Sequence, residues 1–255
     1  MPPPDEVNLG PRTKDLLARS TWSHTNPYPA HQSWADECEE LLAFLDSEGV
    51  FNQFLPRLSA NEWEGAFAEA RSAFYLKGKG FRITDWQPRA KPEIPGDLEI
   101  QWQNAERIFV EVKGPGWQSE LTKEEFRAKR QKQPKYINAE ARAIDPYESI
   151  AYAIGKAFPK FITGRANLIV IADDFFFSPL EGGLREILEY RVPKILSDPA
   201  FTIVSAVLLL KAISYSENPG VQYFQYFAPN AKAEHPVPDA AQAVLAAHND
   251  VKAPS

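Results

Sequence analysis

The sequence predicts an α/β domain in which helices flank a mixed central β-sheet, with a helical extension on its N-terminal side. Residues 96–113 predict two strands joined by a short turn, because apolar and polar side chains alternate along both halves of this stretch. Residues 167–173 form an apolar run that is typical of a parallel strand buried on both faces. Helical patterns with clear start signals precede the first segment and separate it from the second. These three features together predict the fold class.

The N-terminal part predicts an arm followed by two helices. Residues 1–30 are rich in proline and show little periodicity, so we expect an extended or disordered arm. The first helix is expected to begin near Ser33, which has Asp36 at capping-box spacing, and to end at Gly49. The second helix is expected to start within residues 59–62, to carry a buried apolar stripe and to end at a pair of glycines.

The C-terminal half alternates helices with strands. A helix is expected to begin at Asp145, with Pro146 at its first position, and to kink or end at Pro159. Further helices are expected near residues 183–196 and 239–248, and further strands at residues 201–213 and 221–227. These elements are expected to extend the same sheet, so residues 31–250 are predicted to form a single domain.

Composition and charge narrow the class of protein. The chain has 255 residues, of which 44% are hydrophobic and 24% charged, and its net charge is −6. Any attraction to nucleic acid must therefore come from a local patch. The single cysteine, Cys38, excludes an internal disulfide and lies on an apolar helical stripe, which favours a core position over a nucleophilic one. Without a signal peptide or a long apolar run, we expect a cytoplasmic protein with no membrane partner.

Three charged side chains of the predicted hairpin can share one face. Asp97 stands at the start of the first strand, and Glu111 and Lys113 occupy alternate positions of the second, so all three can lie on one face. Burying two carboxylates and an ammonium group without partners is costly. The cluster therefore requires a metal, a salt bridge or a function.

Asp97 followed by Glu111-Val112-Lys113 resembles the active-site motif of the PD-(D/E)xK nuclease superfamily, which has the restriction-endonuclease-like fold. The resemblance covers roughly residues 60–173. It implies that Asp97, Glu111 and the backbone carbonyl of Val112 hold Mg²⁺, or Mn²⁺ in its place. It also implies that Lys113 stabilises the attacking water and the transition state.

The resemblance further implies a glutamate on the helix before the first strand. Glu69, eleven residues before Gly80, matches that arrangement. Glu69 would then be a catalytic residue that binds a second metal or orients a metal-bound water. Taken alone, Glu69 is better explained as a solvated or capping carboxylate.

A basic segment follows the hairpin. It has five positive charges and no acid in nine residues, namely Arg127, Lys129, Arg130, Lys132 and Lys135. Such a segment is either a phosphate-binding arm or a solvated helix face. Lys156 and Lys160 lie one turn apart on the next helix, which the resemblance implies presents a residue towards the scissile phosphate. Two surface lysines are the alternative.

The sequence and the resemblance together predict a Mg²⁺-dependent nuclease that hydrolyses phosphodiester bonds of nucleic acid, DNA before RNA, with a homodimer expected by analogy. One alternative is a catalytically silent nuclease-fold module that binds nucleic acid or a protein partner. Another is an unrelated α/β protein in which Asp97, Glu111 and Lys113 form a partly buried salt-bridge cluster. Other chemistries lack their motifs: the four histidines show no zinc spacing, and the serine-hydrolase, P-loop and dinucleotide patterns are absent.

Overall fold

The computed structural model describes residues 7–21, 32–60, 63–88, 95–114, 146–173, 184–213 and 222–247. The helices in these ranges are α1 (Pro11–Arg19), α2 (Gln32–Ser47), α3 (Phe51–Leu58), α4 (Trp63–Gly78), α5 (Pro146–Ala157), α6 (Leu184–Leu196) and α7 (Asp239–Ala246). The strands are β1 (Arg82–Trp86), β2 (Leu98–Gln101), β3 (Arg107–Lys113), β4 (Ala166–Asp173), β5 (Ala206–Ile213) and β6 (Gln222–Pro229). Short 3₁₀ turns at Phe158–Lys160 and Pro199–Phe201 follow α5 and α6.

The six strands form one mixed sheet in sequence order. β1, β2 and β3 pair antiparallel, β3, β4 and β5 pair parallel, and β6 returns antiparallel to β5. Parallel neighbours need a long crossover, and the two crossovers carry α5 and α6. The prediction of an α/β fold with a mixed, helix-flanked sheet is confirmed.

The sheet separates two hydrophobic clusters. One lies between the sheet and the helices α1, α2, α3, α4 and α7, and the other lies between the sheet and the helices α5 and α6. Strand β3 contributes to both, because Ile108 and Val110 belong to the first cluster and Phe109 to the second. The second strand of the predicted hairpin is therefore packed on both faces of the sheet.

The N-terminal prediction is wrong for part of its length. Residues 11–19, expected in an extended or disordered arm, form α1. Proline fits the first turn of a helix, where its missing N–H would have no partner, and Pro11 occupies that place. The Glu39 carboxylate accepts hydrogen bonds from the backbone N–H of Thr13 at 2.9 Å and from its hydroxyl at 3.0 Å, and Leu16 is buried. Contacts with α2 thus hold this short helix.

Two further elements differ from the prediction. Helix α3 was not expected, because it has eight residues and contains Pro56, which discourages a helical interpretation. The strand expected from residue 201 begins at Ala206, since residues 199–201 form a 3₁₀ turn. The end of α5 at Ala157, just before Pro159, is as predicted. Within the described ranges, no helix has both the length and the apolar character needed to cross a membrane.

Candidate active site

Asp97 is placed by the chain immediately before β2. Its neighbour Gly96 lies so close to the ring of Phe109 that a Cβ atom at position 96 would overlap the ring. The Gln87 N–H donates to the Asp97 carbonyl at 3.0 Å, and Gln87 itself has a left-handed φ of 60°. The Asp97 side chain continues the pairing of β2 with β3, because its Oδ2 accepts from the Val112 N–H at 2.6 Å. Asp97 is thereby fixed against the segment that carries Glu111 and Lys113.

Glu111 is fully buried in the middle of the sheet. Its Oε1 accepts from the ammonium groups of Lys113 and Lys160, while its Oε2 is buried without a hydrogen-bond partner among the described residues. Burial, followed by the negative charge of Asp97, raises the pKa of Glu111 to about 7, although the Lys113 ammonium opposes the shift. A further cation near Oε2 would relieve this conflict.

Two lysines approach the carboxylates from different elements. Lys113, at the end of β3, contacts Glu111 Oε1 and places its Nζ 3.3 Å from the carbonyl of Val112. Lys160, in the 3₁₀ turn after α5, places its Nζ 2.6 Å from Glu111 Oε1 and 3.7 Å from Asp97 Oδ1. Burial alone would lower the pKa of Lys160, but the nearby carboxylates, Asp97 foremost, raise it. One ammonium group therefore bridges both acids of the predicted site.

Glu69 lies on α4 and is nearly buried. Both of its oxygens accept from Arg57 of α3, with Nη1 2.7 Å from Oε2 and Nη2 in contact with Oε1. Burial raises the pKa of Glu69, Arg57 opposes the shift, and the negative charge of Asp97 adds to it. Glu69 thus shares the electrostatic environment of Asp97 while its own hydrogen bonds are directed at Arg57.

Arg57 was not identified from the sequence. Its contact with Glu69 depends on the turn between α3 and α4, and α3 itself was not expected. The sequence offers one signal only, an arginine twelve residues before a candidate glutamate. This spacing does not make two residues neighbours on one helix face.

The predicted nucleic-acid-binding residues are placed unevenly. The basic segment of Arg127, Lys129, Arg130, Lys132 and Lys135 lies outside the described residues. Lys156 is exposed on α5. Lys160, one turn further along, is directed at the carboxylates instead. The prediction that these residues contact nucleic acid stays a prediction.

The oxygen atoms at this place suit a hard divalent cation. Asp97 and Glu111 provide carboxylate oxygens, Val112 provides a carbonyl, and Glu111 Oε2 is an acceptor without a donor among the described residues. Mg²⁺ is commonly held by one or two carboxylates and keeps several of its waters. In the described part of the chain, no three His, Cys, Asp or Glu side chains form a group that could hold a metal. The donor set therefore fits a partly hydrated Mg²⁺ and not a fully protein-ligated ion.

No protein-family model, curated protein or solved structure matches this chain. The resemblance to the nuclease superfamily stays a prediction from the motif residues.

Proposed function

We propose that this protein is a Mg²⁺-dependent nuclease of the PD-(D/E)xK superfamily that hydrolyses phosphodiester bonds of nucleic acid, DNA in the first instance. The observation that carries the proposal is the convergence of Asp97 and Glu111 on a single cation, the Lys160 ammonium, with Lys113 on the same Glu111 oxygen. A divalent ion, like the ammonium group, binds where oxygen atoms cluster. Mn²⁺ accepts the same carboxylate and carbonyl ligands as Mg²⁺.

The residues have separate roles in this proposal. Asp97, Glu111 and the Val112 carbonyl hold the metal, and Asp97 keeps its second oxygen on the Val112 N–H. Mg²⁺, when bound, neutralises phosphate charge and supplies an activated water. The Lys113 ammonium lies beside the acids and stabilises the negative charge that develops on the attacking water and the phosphorus oxygens. Arg57 occupies both oxygens of Glu69. We therefore assign Glu69 the role of orienting a metal-bound water, and not that of a direct metal ligand.

The test is cleavage of labelled single- and double-stranded DNA and RNA with Mg²⁺, Mn²⁺ or EDTA. Asp97→Asn keeps an oxygen for the Val112 N–H but removes the charge, and Lys113→Met removes the ammonium while keeping the chain length. We expect cleavage that depends on metal and falls by about 100-fold or more in both variants. Lys14→Met, at an exposed position of α1, is the matched control and should cut like the wild type.

Folded wild-type protein that cuts none of these substrates with either metal would contradict the proposal. So would cleavage that persists in EDTA or in both variants.

A second candidate is a nuclease-fold module that binds nucleic acid or a protein partner without cleavage. The observation in its favour is that each acid of the cluster has a cationic partner within the described residues: Arg57 for Glu69, Lys113 for Glu111 and Lys160 for Asp97. Such a cluster is electrically satisfied without a metal. In the same panel this candidate predicts nucleic-acid binding that neither EDTA nor Lys113→Met changes. It predicts no cleavage product.

A further inference from the structure

The cation position between Asp97 and Glu111 is filled by the protein itself. The Lys160 Nζ lies 2.6 Å from Glu111 Oε1 and 3.7 Å from Asp97 Oδ1, and the Lys113 ammonium contacts the same Glu111 oxygen. Mg²⁺ binds its ligands at about 2.0–2.1 Å. An ion at that distance from Glu111 Oε1 would share the oxygen with two ammonium groups, which repel it. Two ammonium groups on Oε1 therefore oppose a metal that uses this oxygen, and departure of one of them removes that repulsion.

The formal charge of the site also favours departure of one lysine when a metal binds. Two carboxylates and two ammonium groups make a neutral set, so a divalent ion added with both lysines in place leaves a large uncompensated positive charge in a partly buried site. Departure of one lysine lowers that excess to a single positive charge. A phosphodiester carries a single negative charge, so the loaded site matches the backbone of a nucleic acid.

Lys160 is the lysine whose release disturbs the fold least. Lys113 belongs to β3, where it pairs with Ile171 of β4, and its ammonium has the Val112 carbonyl as a second acceptor at 3.3 Å. Lys160 lies in a three-residue turn beyond the end of α5, and its side chain is 25% exposed. Lys160 is not part of the sheet, so movement of its side chain leaves the strand pairing intact.

We propose that the Lys160 ammonium is an internal occupant of the metal position, and that a divalent cation displaces it towards solvent. This inference rests on the proposed metal site and adds a mode of regulation to it. Without metal the site is closed by its own lysine. With metal the same lysine is released to solvent.

The experiment is reductive methylation of lysines at fixed pH, read residue by residue by mass spectrometry, with Mg²⁺ or EDTA and no nucleic acid. We expect labelling of Lys160 to rise severalfold with Mg²⁺ while that of Lys14 and Lys194, both exposed and remote in the chain, stays constant. Calorimetric titration gives the companion result: Lys160→Met should bind Mg²⁺ about 10-fold more tightly than wild type, whereas Lys14→Met should not differ.

The outcomes separate this inference from the proposed function. Mg²⁺ binding that Asp97→Asn abolishes, together with unchanged Lys160 labelling, overturns the displacement and leaves the nuclease intact. The displacement is likewise overturned if Lys160→Met binds Mg²⁺ no more tightly than wild type. Absence of Mg²⁺ binding in folded wild type, or binding that survives Asp97→Asn, overturns both.

Discussion

At the scale of single residues, Glu111 has an unfavourable position for a charge, because it is fully buried beside another acid. Its pKa is raised to about 7, by burial first and then by Asp97, with Lys113 and Lys160 opposing. The folded protein therefore takes up a proton that the unfolded chain has lost. Stability from this group is complete below its ordinary pKa and is lost as the pH rises through about 7.

The prediction concerns the free energy of unfolding of wild type compared with that of Glu111→Gln. In EDTA, the free energy of unfolding of wild type should fall relative to Glu111→Gln between about pH 5 and pH 8, by up to about 3 kcal/mol. Urea denaturation at several pH values measures this, and the comparison cancels the other titrating groups. Parallel pH profiles for the two proteins would show that Glu111 is not the group responsible.

Arg57 and Glu69 provide a second prediction at this scale. Arg57→Met leaves the nearly buried Glu69 carboxylate without either of its hydrogen bonds, and we expect a loss of about 2 kcal/mol, moderated by the partial exposure of Arg57. Addition of Glu69→Gln should recover much of that loss, because it removes the stranded charge. Unfolding of the two single variants and the double variant forms the cycle. If the double variant loses as much stability as the two single variants added together, Arg57 and Glu69 are not coupled.

At the scale of elements, α2 and α4 are joined by a buried ion pair. The guanidinium of Arg71 donates to Glu37 at 2.6 and 2.8 Å, and the Tyr223 hydroxyl of β6 donates to the same carboxylate at 3.1 Å. Both charged side chains are almost inaccessible, at 4% and 2%. We expect Arg71→Met to cost about 3–5 kcal/mol, because it leaves Glu37 buried without its counter-ion.

Thermal unfolding of Arg71→Met beside Lys77→Met provides the measurement. Lys77 also lies on α4 and pairs with Glu48, but its side chain is 36% exposed, so its removal should cost far less. Equal losses in the two variants would mean that burial does not decide the strength of these pairs.

The elements also show how far the sequence leads. Helices α2 and α4, the β2–β3 hairpin and β4 follow from capping residues and periodicity, which are local signals. Helix α1 is stabilised by Glu39 of α2, and α3 contains a proline, so neither has a sufficient local signal. In the site, Asp97, Glu111 and Lys113 were predictable from the motif. Two contacts were not predictable, those of Arg57 with Glu69 and of Lys160 with both acids. They depend on how helices pack, and residue spacing in the sequence does not determine helix packing.

At the scale of the whole molecule, a metal that binds the folded chain alone should stabilise it. At about 100 times the dissociation constant of Mg²⁺ the gain is about 2.7 kcal/mol, which for a chain of this size raises the melting temperature by about 5–10 °C. Asp97→Asn should lose this increase and Lys14→Met should keep it. Scanning calorimetry near pH 8, where Glu111 is ionised, is the measurement. An equal increase in all three proteins would place the metal elsewhere.

The close approach of Gly96 to Phe109 links the position of Asp97 to the packing of the hydrophobic interior. Phe109 belongs to the cluster that also holds Ala153, Ile154 and Phe161, so the ring that limits position 96 is packed by the helix leading to Lys160. We expect a change of volume there to shift both Asp97 and Lys160. Substitutions in this part of the core are thus expected to change the alignment of Asp97 with Lys160 as well as the stability of the fold.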